Sequence, residues 1–233
     1  MPRINKLALV LATFAFVLAA ARPTSAGAVQ LTSASQLNPA DVTATFPTTG
    51  TVVTSPGGLP PAVGLTNPLV VSAGGNTLTF SKPGGLFVVN SFFGPGTLYT
   101  GNAYGQTGGP VTITFAAGVT EVGFLARPNF GITLPGFGFT FTAFNGAAAL
   151  GTFSVSNSAL VGGDGFLGVR ATGGDVITRL VVNHTIPDFG IGPVTFGPAA
   201  TAAVPEPTTM LLLGTGLAGV GAAVRKRRKA HEG

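Results

Sequence analysis

The sequence predicts an all-β fold, an antiparallel sandwich, and three observations carry that prediction. Apolar residues alternate at period two along most of the 233-residue chain. Gly-rich turns interrupt the alternation every eight to twelve positions or so, the rhythm of a sandwich or barrel. No helical stripe of apolar residues occurs between the two ends of the chain.

Taken in order, strands are expected at 42–46, 51–54, 69–72, 77–80, 86–90 and 97–100. Ser55–Pro68 between them is loop-like, with Pro56, Pro60, Pro61 and Pro68. Val111-Thr112-Ile113-Thr114-Phe115 puts its apolar residues on one face and both threonines on the other. Residues 137–142 repeat the pattern, with Phe137, Phe139 and Phe141 inward. Further strands are expected at 120–126, 149–155, 165–171, 176–183 and 192–197. Gly57-Gly58, Gly74-Gly75, Gly84-Gly85, Gly108-Gly109 and Gly173-Gly174 mark turns. The expected core includes Phe115, Phe124, Phe139, Phe141, Val182 and Phe196.

Both ends read as addresses. Arg3 and Lys6 precede an apolar run from Leu7 to Ala21, and Thr24-Ser25-Ala26-Gly27-Ala28 supplies small residues for cleavage after Ala26 or Ala28. Residues 1–28 are therefore expected to be a signal helix cut by signal peptidase. At the other end, Pro205-Glu206-Pro207 precedes an apolar run from Met210 to Val224, followed by Arg225-Lys226-Arg227-Arg228-Lys229. Fifteen helical residues reach only about 22 Å against about 30 Å of hydrocarbon, so a transmembrane helix over about 208–224 is a poor permanent anchor. The five cations at 225–229 form a cytoplasmic stop. The two prolines keep Glu206 in an extended stretch open to a protease.

This order of tripeptide, Leu211-Leu212-Leu213-Gly214 block and basic cluster resembles the PEP-CTERM sorting signal of Gram-negative bacteria. The resemblance implies processing by an exosortase-type protease at residues 204–233, after a transient stay in the inner membrane. It also implies delivery to the cell surface or extracellular matrix. Residues 111–197 are similar to the jelly-roll domains of many such proteins, which are akin to carbohydrate-binding modules. The carriers are Thr120-Glu121-Val122-Gly123-Phe124, Leu150-Gly151-Thr152-Phe153, Arg179-Leu180-Val181-Val182 and Asp188-Phe189-Gly190-Ile191. Here Gly192-Pro193 stands where those relatives carry a polar pair.

Removing both ends changes the charge. Residues 29–203, the expected exported domain, hold four basic and five acidic residues, a net charge of −1, although the whole chain is +5. A nucleic-acid partner is thereby disfavoured. With no cysteine in the chain, stability must come from an apolar core.

The side chains offer little for catalysis. His184 is the one histidine of residues 29–203 and is expected at a half-exposed strand edge. Two of Asp41, Glu121, Asp164, Asp175 and Asp188 could in principle flank a sugar, but there is no tryptophan to stack it. A shallow glycan site could draw on Asn90, Tyr99, Asn102, Tyr104 and Asn129. Calcium is the only metal that fits, through Asp41, Asp164 and Asp188, though turn roles suit Asp164 and Asp188 better. Threonine pairs at 43/45, 77/79, 112/114 and 140/142 suit either a solvated strand face or an ice-binding hydroxyl array. The reading is a non-catalytic, exported surface or exopolysaccharide-matrix protein, structural or adhesive, with weak glycan binding and no required cofactor. The alternative is a secreted carbohydrate-active enzyme.

Overall fold

The structure is a computed structural model, which describes residues 27–49, 51–53, 62–89, 96–99, 109–128, 138–156, 165–185 and 189–198. The chain divides into a compact unit, Met1–Ala199, and a second one, Ala200–Gly233. All described residues belong to the first. Residues 1–26 of the expected signal helix, the expected transmembrane helix and the sorting residues lie outside them. Among the described residues, no helix is long and apolar enough to cross a membrane.

The first unit is all-β, with antiparallel sheets in a sandwich-like arrangement. Sixteen strands are described: β1 Gly27–Leu31, β2 Val42–Ala44, β3 Thr51–Val53, β4 Ala62–Leu65, β5 Leu69–Ala73, β6 Asn76–Ser81, β7 Leu86–Val89, β8 Thr97–Tyr99, β9 Val111–Val119, β10 Glu121–Pro128, β11 Gly138–Asn145, β12 Ala148–Ser156, β13 Gly165–Thr172, β14 Ile177–His184, β15 Phe189–Ile191 and β16 Val194–Phe196. One sheet runs β1-β13-β10-β15-β8-β7-β4-β3, with β16 pairing both β10 and β2. The other runs β12-β11-β14-β9-β6-β5. Helix is confined to a 3-10 turn at Ala34–Gln36.

Period two decides which residues meet between the sheets. Phe115, Phe124, Phe139, Phe141, Val182 and Phe196 are all buried, while Thr112 is half-buried and Thr140 exposed. The sheets touch through aromatic rings. Phe139 of β11 meets Phe189 of β15 edge-on at 5.5 Å, and Phe115 of β9 tilts against Phe196 of β16 at 6.0 Å. Such pairs add to area burial by about 0.5–1.5 kcal/mol each. Phe137 lies outside the described residues.

Four strands depart from the sequence expectation. β1 starts at Gly27, where small residues had pointed only to a cleavage site. β4 falls in the proline-rich stretch expected as loop, but pairs β7 over Ala62–Leu65. In place of the expected 192–197 strand, β16 begins only after Gly192-Pro193, and a separate strand, β15, precedes that pair. Gly192 N–H donates to the Leu125 carbonyl at 2.8 Å, and a Cβ there would lie 3.3 Å from the same oxygen. Glycine permits that close approach. At the β5–β6 hairpin, Gly74 and Gly75 have φ of 55° and 76°, both central residues of a primed turn.

Phe141 is 1% exposed and Thr140 points outward. Phe141→Ala should cost about 3–5 kcal/mol, and Thr140→Ala no more than about 0.5 kcal/mol. Urea denaturation of residues 27–199 measures both. The reverse ranking would mean a register displaced by one residue.

Candidate functional site

β10 opens with Glu121, and β13 places Arg170 directly opposite it in register. An ion pair across adjacent strands is the local consequence. Arg170 Nε donates to Glu121 Oε2 at 2.7 Å, and its Nη2 stands 2.6 Å from the same oxygen. The Glu121 side chain is only 6% exposed, whereas that of Arg170 is 43% exposed. Glu121 Oε1 accepts the Asn38 backbone N–H at 3.2 Å. The guanidinium also donates to the Gln36 carbonyl. The two side chains thus tie down the segment that leads from β1 over the outer face of the first sheet to β2. The same segment puts Leu37 over Gly123, where a Cβ would approach Leu37 Cδ1 to 3.2 Å. Within it, Gln36 Oε1 accepts the N–H groups of Thr32 and Ser33 at 2.6 and 3.1 Å.

Asp41 ends this segment against Glu121. Its Oδ2 is buried and accepts no hydrogen bond. Burial, then the Glu121 charge and a hydrogen bond to Glu121, push the Asp41 carboxyl up to about 6. A backbone hydrogen bond at Asn38 and the Arg170 charge act the other way and are outweighed. This is an acid pair, Glu121 buried and Asp41 half-buried, with one arginine, and its geometry fits fastening better than hydrolysis. A glycosidase needs its carboxylates about 5–10 Å apart with a sugar between them.

Two surfaces remain open to a partner. A groove of about 640 Å³ runs beside β1, lined among the described residues by Gln30, Ser33, Leu125, Ser154, Phe166 and neighbours, none of them ionisable. The outer face of the second sheet is broader. One row reads Thr152, Thr142, Val181, Thr112 and Ser81 across β12, β11, β14, β9 and β6. The next row carries Phe144, Arg179, Thr114 and Thr79. Thr142 and Thr152 share a hydrogen bond at 2.9 Å. Arg179 lies over the Phe144 ring at 4.1 Å.

The other sequence candidates are dispersed. Tyr99 is 2% exposed, a core residue rather than a glycan ligand. Asn90, Asn102, Tyr104 and Asn129 lie outside the described residues, as do Asp164 and Asp188. Asp41 meets Glu121 and Arg170, and no group of three metal-ligating side chains occurs among the described residues. His184 is buried, not half-exposed, because it falls on the inward set of β14; its ring packs 4.5 Å from that of Phe139. Of the threonine pairs, 77/79, 112/114 and 140/142 share the second sheet's outer face. Thr43 bonds Thr195 in the first sheet at 2.9 Å. The Glu121–Arg170 pair escaped the sequence reading. Its only signal was two opposite charges in strands otherwise nearly free of charge.

The fold and this surface define an all-β, sandwich-like domain with a hydroxyl-rich face whose one charge in these rows is Arg179. Compared with known proteins, residues 203–228 match the family described as the PEP-CTERM protein-sorting motif. The motif implies processing by an exosortase-type system, with export and membrane-anchored sorting toward the cell surface. No curated protein matched the chain, and no solved structure did.

The acid pair gives the domain a pH signature. The Asp41 carboxyl is raised from its ordinary 3.8 to about 6 in the fold. Its protonated form therefore stabilises the fold fully below about pH 4, and that contribution is lost as the pH rises through 6. Allowing for solvent screening at a half-buried group, the effect is about 1–2 kcal/mol. Asp41→Asn mimics the protonated state. It should raise the melting temperature of residues 27–199 by about 2–6 °C at pH 7.5 and leave it unchanged near pH 4. Melts at the two pH values decide this.

Proposed function

We propose that this chain is a non-catalytic surface or matrix protein, sorted by its tail. Its exported domain holds neutral exopolysaccharide weakly on the outer face of the second sheet. The observation that carries the reading is the hydroxyl row through Thr152, Thr142, Thr112 and Ser81. Hydroxyl groups that both donate and accept match the hydroxyls of a neutral sugar polymer. A face whose aromatic ring in these rows, Phe144, is covered by Arg179 favours many weak contacts over one tight one, which suits adhesion by repetition. The only cation in these rows, Arg179, is turned onto Phe144. The jelly-roll likeness of residues 111–197 to carbohydrate-binding modules points the same way by analogy of fold.

A carbohydrate-active enzyme fits less well, since Asp41 and Glu121 adjoin each other beside Arg170 and no acid lines the groove among the described residues. Ice binding would need an unbroken hydroxyl array. Val181, Arg179 and Phe144 interrupt this one.

Two measurements test the proposal. In affinity electrophoresis through gels containing the host's neutral polysaccharide, the wild-type domain should be retarded. Thr112→Lys with Thr142→Lys should weaken binding about fivefold or more, a loss of roughly 1 kcal/mol, without lowering the melting temperature. Equal retardation of the two proteins would move the contact off this face. For sorting, a chain with Pro205, Glu206 and Pro207 all changed to Ala should stay membrane-bound at full length in the native host. Wild type should reach the outer surface without Met210–Gly233.

A further inference from the structure

β1 pairs β13 from its first residue, with Gly27 opposite Thr172 and Ala28 opposite Ala171. Just beyond Thr172 the chain turns at Gly173 and Gly174, φ 68° and 85°, and brings Asp175 back to the start of β1. Asp175 Oδ2 accepts the Gly27 backbone N–H at 3.1 Å, and Oδ1 accepts Asn145 Nδ2 at 3.1 Å. The Asp175 N–H donates to the Thr172 carbonyl at 3.2 Å, which fixes the turn. A half-buried carboxylate is therefore held at the first residue of the sheet, and the partners recorded for its oxygens are two neutral amides.

We infer that the export signal is removed between Ala26 and Gly27, and that the new ammonium group of Gly27 docks on Asp175. The inference rests on reading residues 1–26 as a cleaved signal. Signal peptidase adds water across the Ala26–Gly27 amide: the C–N bond breaks, Ala26 leaves with the carboxylate, and Gly27 keeps the amine. That amine takes up a proton at neutral pH. The neutral N–H···O contact becomes a charge-assisted one, and such bonds are about twice as strong. Cutting after Ala28 instead would remove two ladder pairs and leave Asp175 without its Gly27 donor. The sequence alone does not separate the two sites, since both offer small residues. The sheet separates them, because only the earlier cut keeps β1 whole.

The test uses protein recovered from the native host. Intact mass and amino-terminal sequencing should give a chain that begins at Gly27. A start at Val29 overturns the inference, and a chain that still begins at Met1 overturns the signal reading instead. Docking is read from the reactivity of the α-amine toward an acylating reagent near pH 7. Once the tail is removed, the only other amine is Lys82. An ion pair at a partly exposed site should slow acylation about two- to fivefold relative to Asp175→Asn. Asp175→Asn should also lower the melting temperature by a few degrees, and adding one alanine before Gly27, which restores a neutral amide at this contact, should reduce that difference. Equal acylation of wild type and Asp175→Asn would show that the amine is not docked.

Discussion

The layer of aromatic and aliphatic side chains between the two sheets has no covalent help. The chain has no cysteine, and residues 29–203 carry nine charges, so neither a disulfide nor a dense ionic surface supports the fold. What remains is strict alternation. Each strand that crosses the layer must place its apolar set inward, and Phe115, Phe139, Phe141, Phe189 and Phe196 do so from both sheets. The crossing from β9 to β10 at Thr120 shows how tightly this binds the architecture. The Thr120 carbonyl accepts the Ala171 N–H at 2.8 Å, and the Gly197 N–H reaches the Glu121 carbonyl at 2.9 Å. One corner therefore aligns β9, β10, β13 and β16.

Charge is used sparingly and locally. Glu121 is costly to bury, and Arg170 with the Asn38 amide offsets that cost by satisfying both oxygens. The geometry fastens a covering segment to the sheet, so the residues a sequence reader would first suspect of chemistry serve architecture. The outer face of the second sheet carries hydroxyl rows and, in those rows, the single charge of Arg179. Its hydroxyl rows result from placing threonine on the outward set of the same strands whose inward set builds the core.

This explains what could be read from the sequence. Period two located most strands and the buried set, because alternation is a local property. Tyr99 and His184 were misplaced for a related reason: at the ends of strands, the identity of a polar residue argued for exposure while its position argued for burial. β1 and β4 were hidden by stronger local signals, a cleavage site and a run of prolines. The Glu121–Arg170–Asp41 group is assembled from positions 49 and 80 apart from Glu121, and no local pattern links them. Only knowing that β10 pairs β13, with Glu121 opposite Arg170, brings them together.

Glu121 also has a mechanical meaning. Its carbonyl holds Gly197, at the end of β16, while its side chain holds Asn38, at the end of the covering segment. Tension applied to the chain beyond Pro198 would first load β16, a strand of three residues clasped between β10 and β2. Part of that load passes through Glu121 into β10, the most widely paired strand of its sheet, and part into β2. A domain tethered at its C-terminal end would thus spread a pull over two strands at once, and the Phe196–Phe115 contact would have to shear before the core opened.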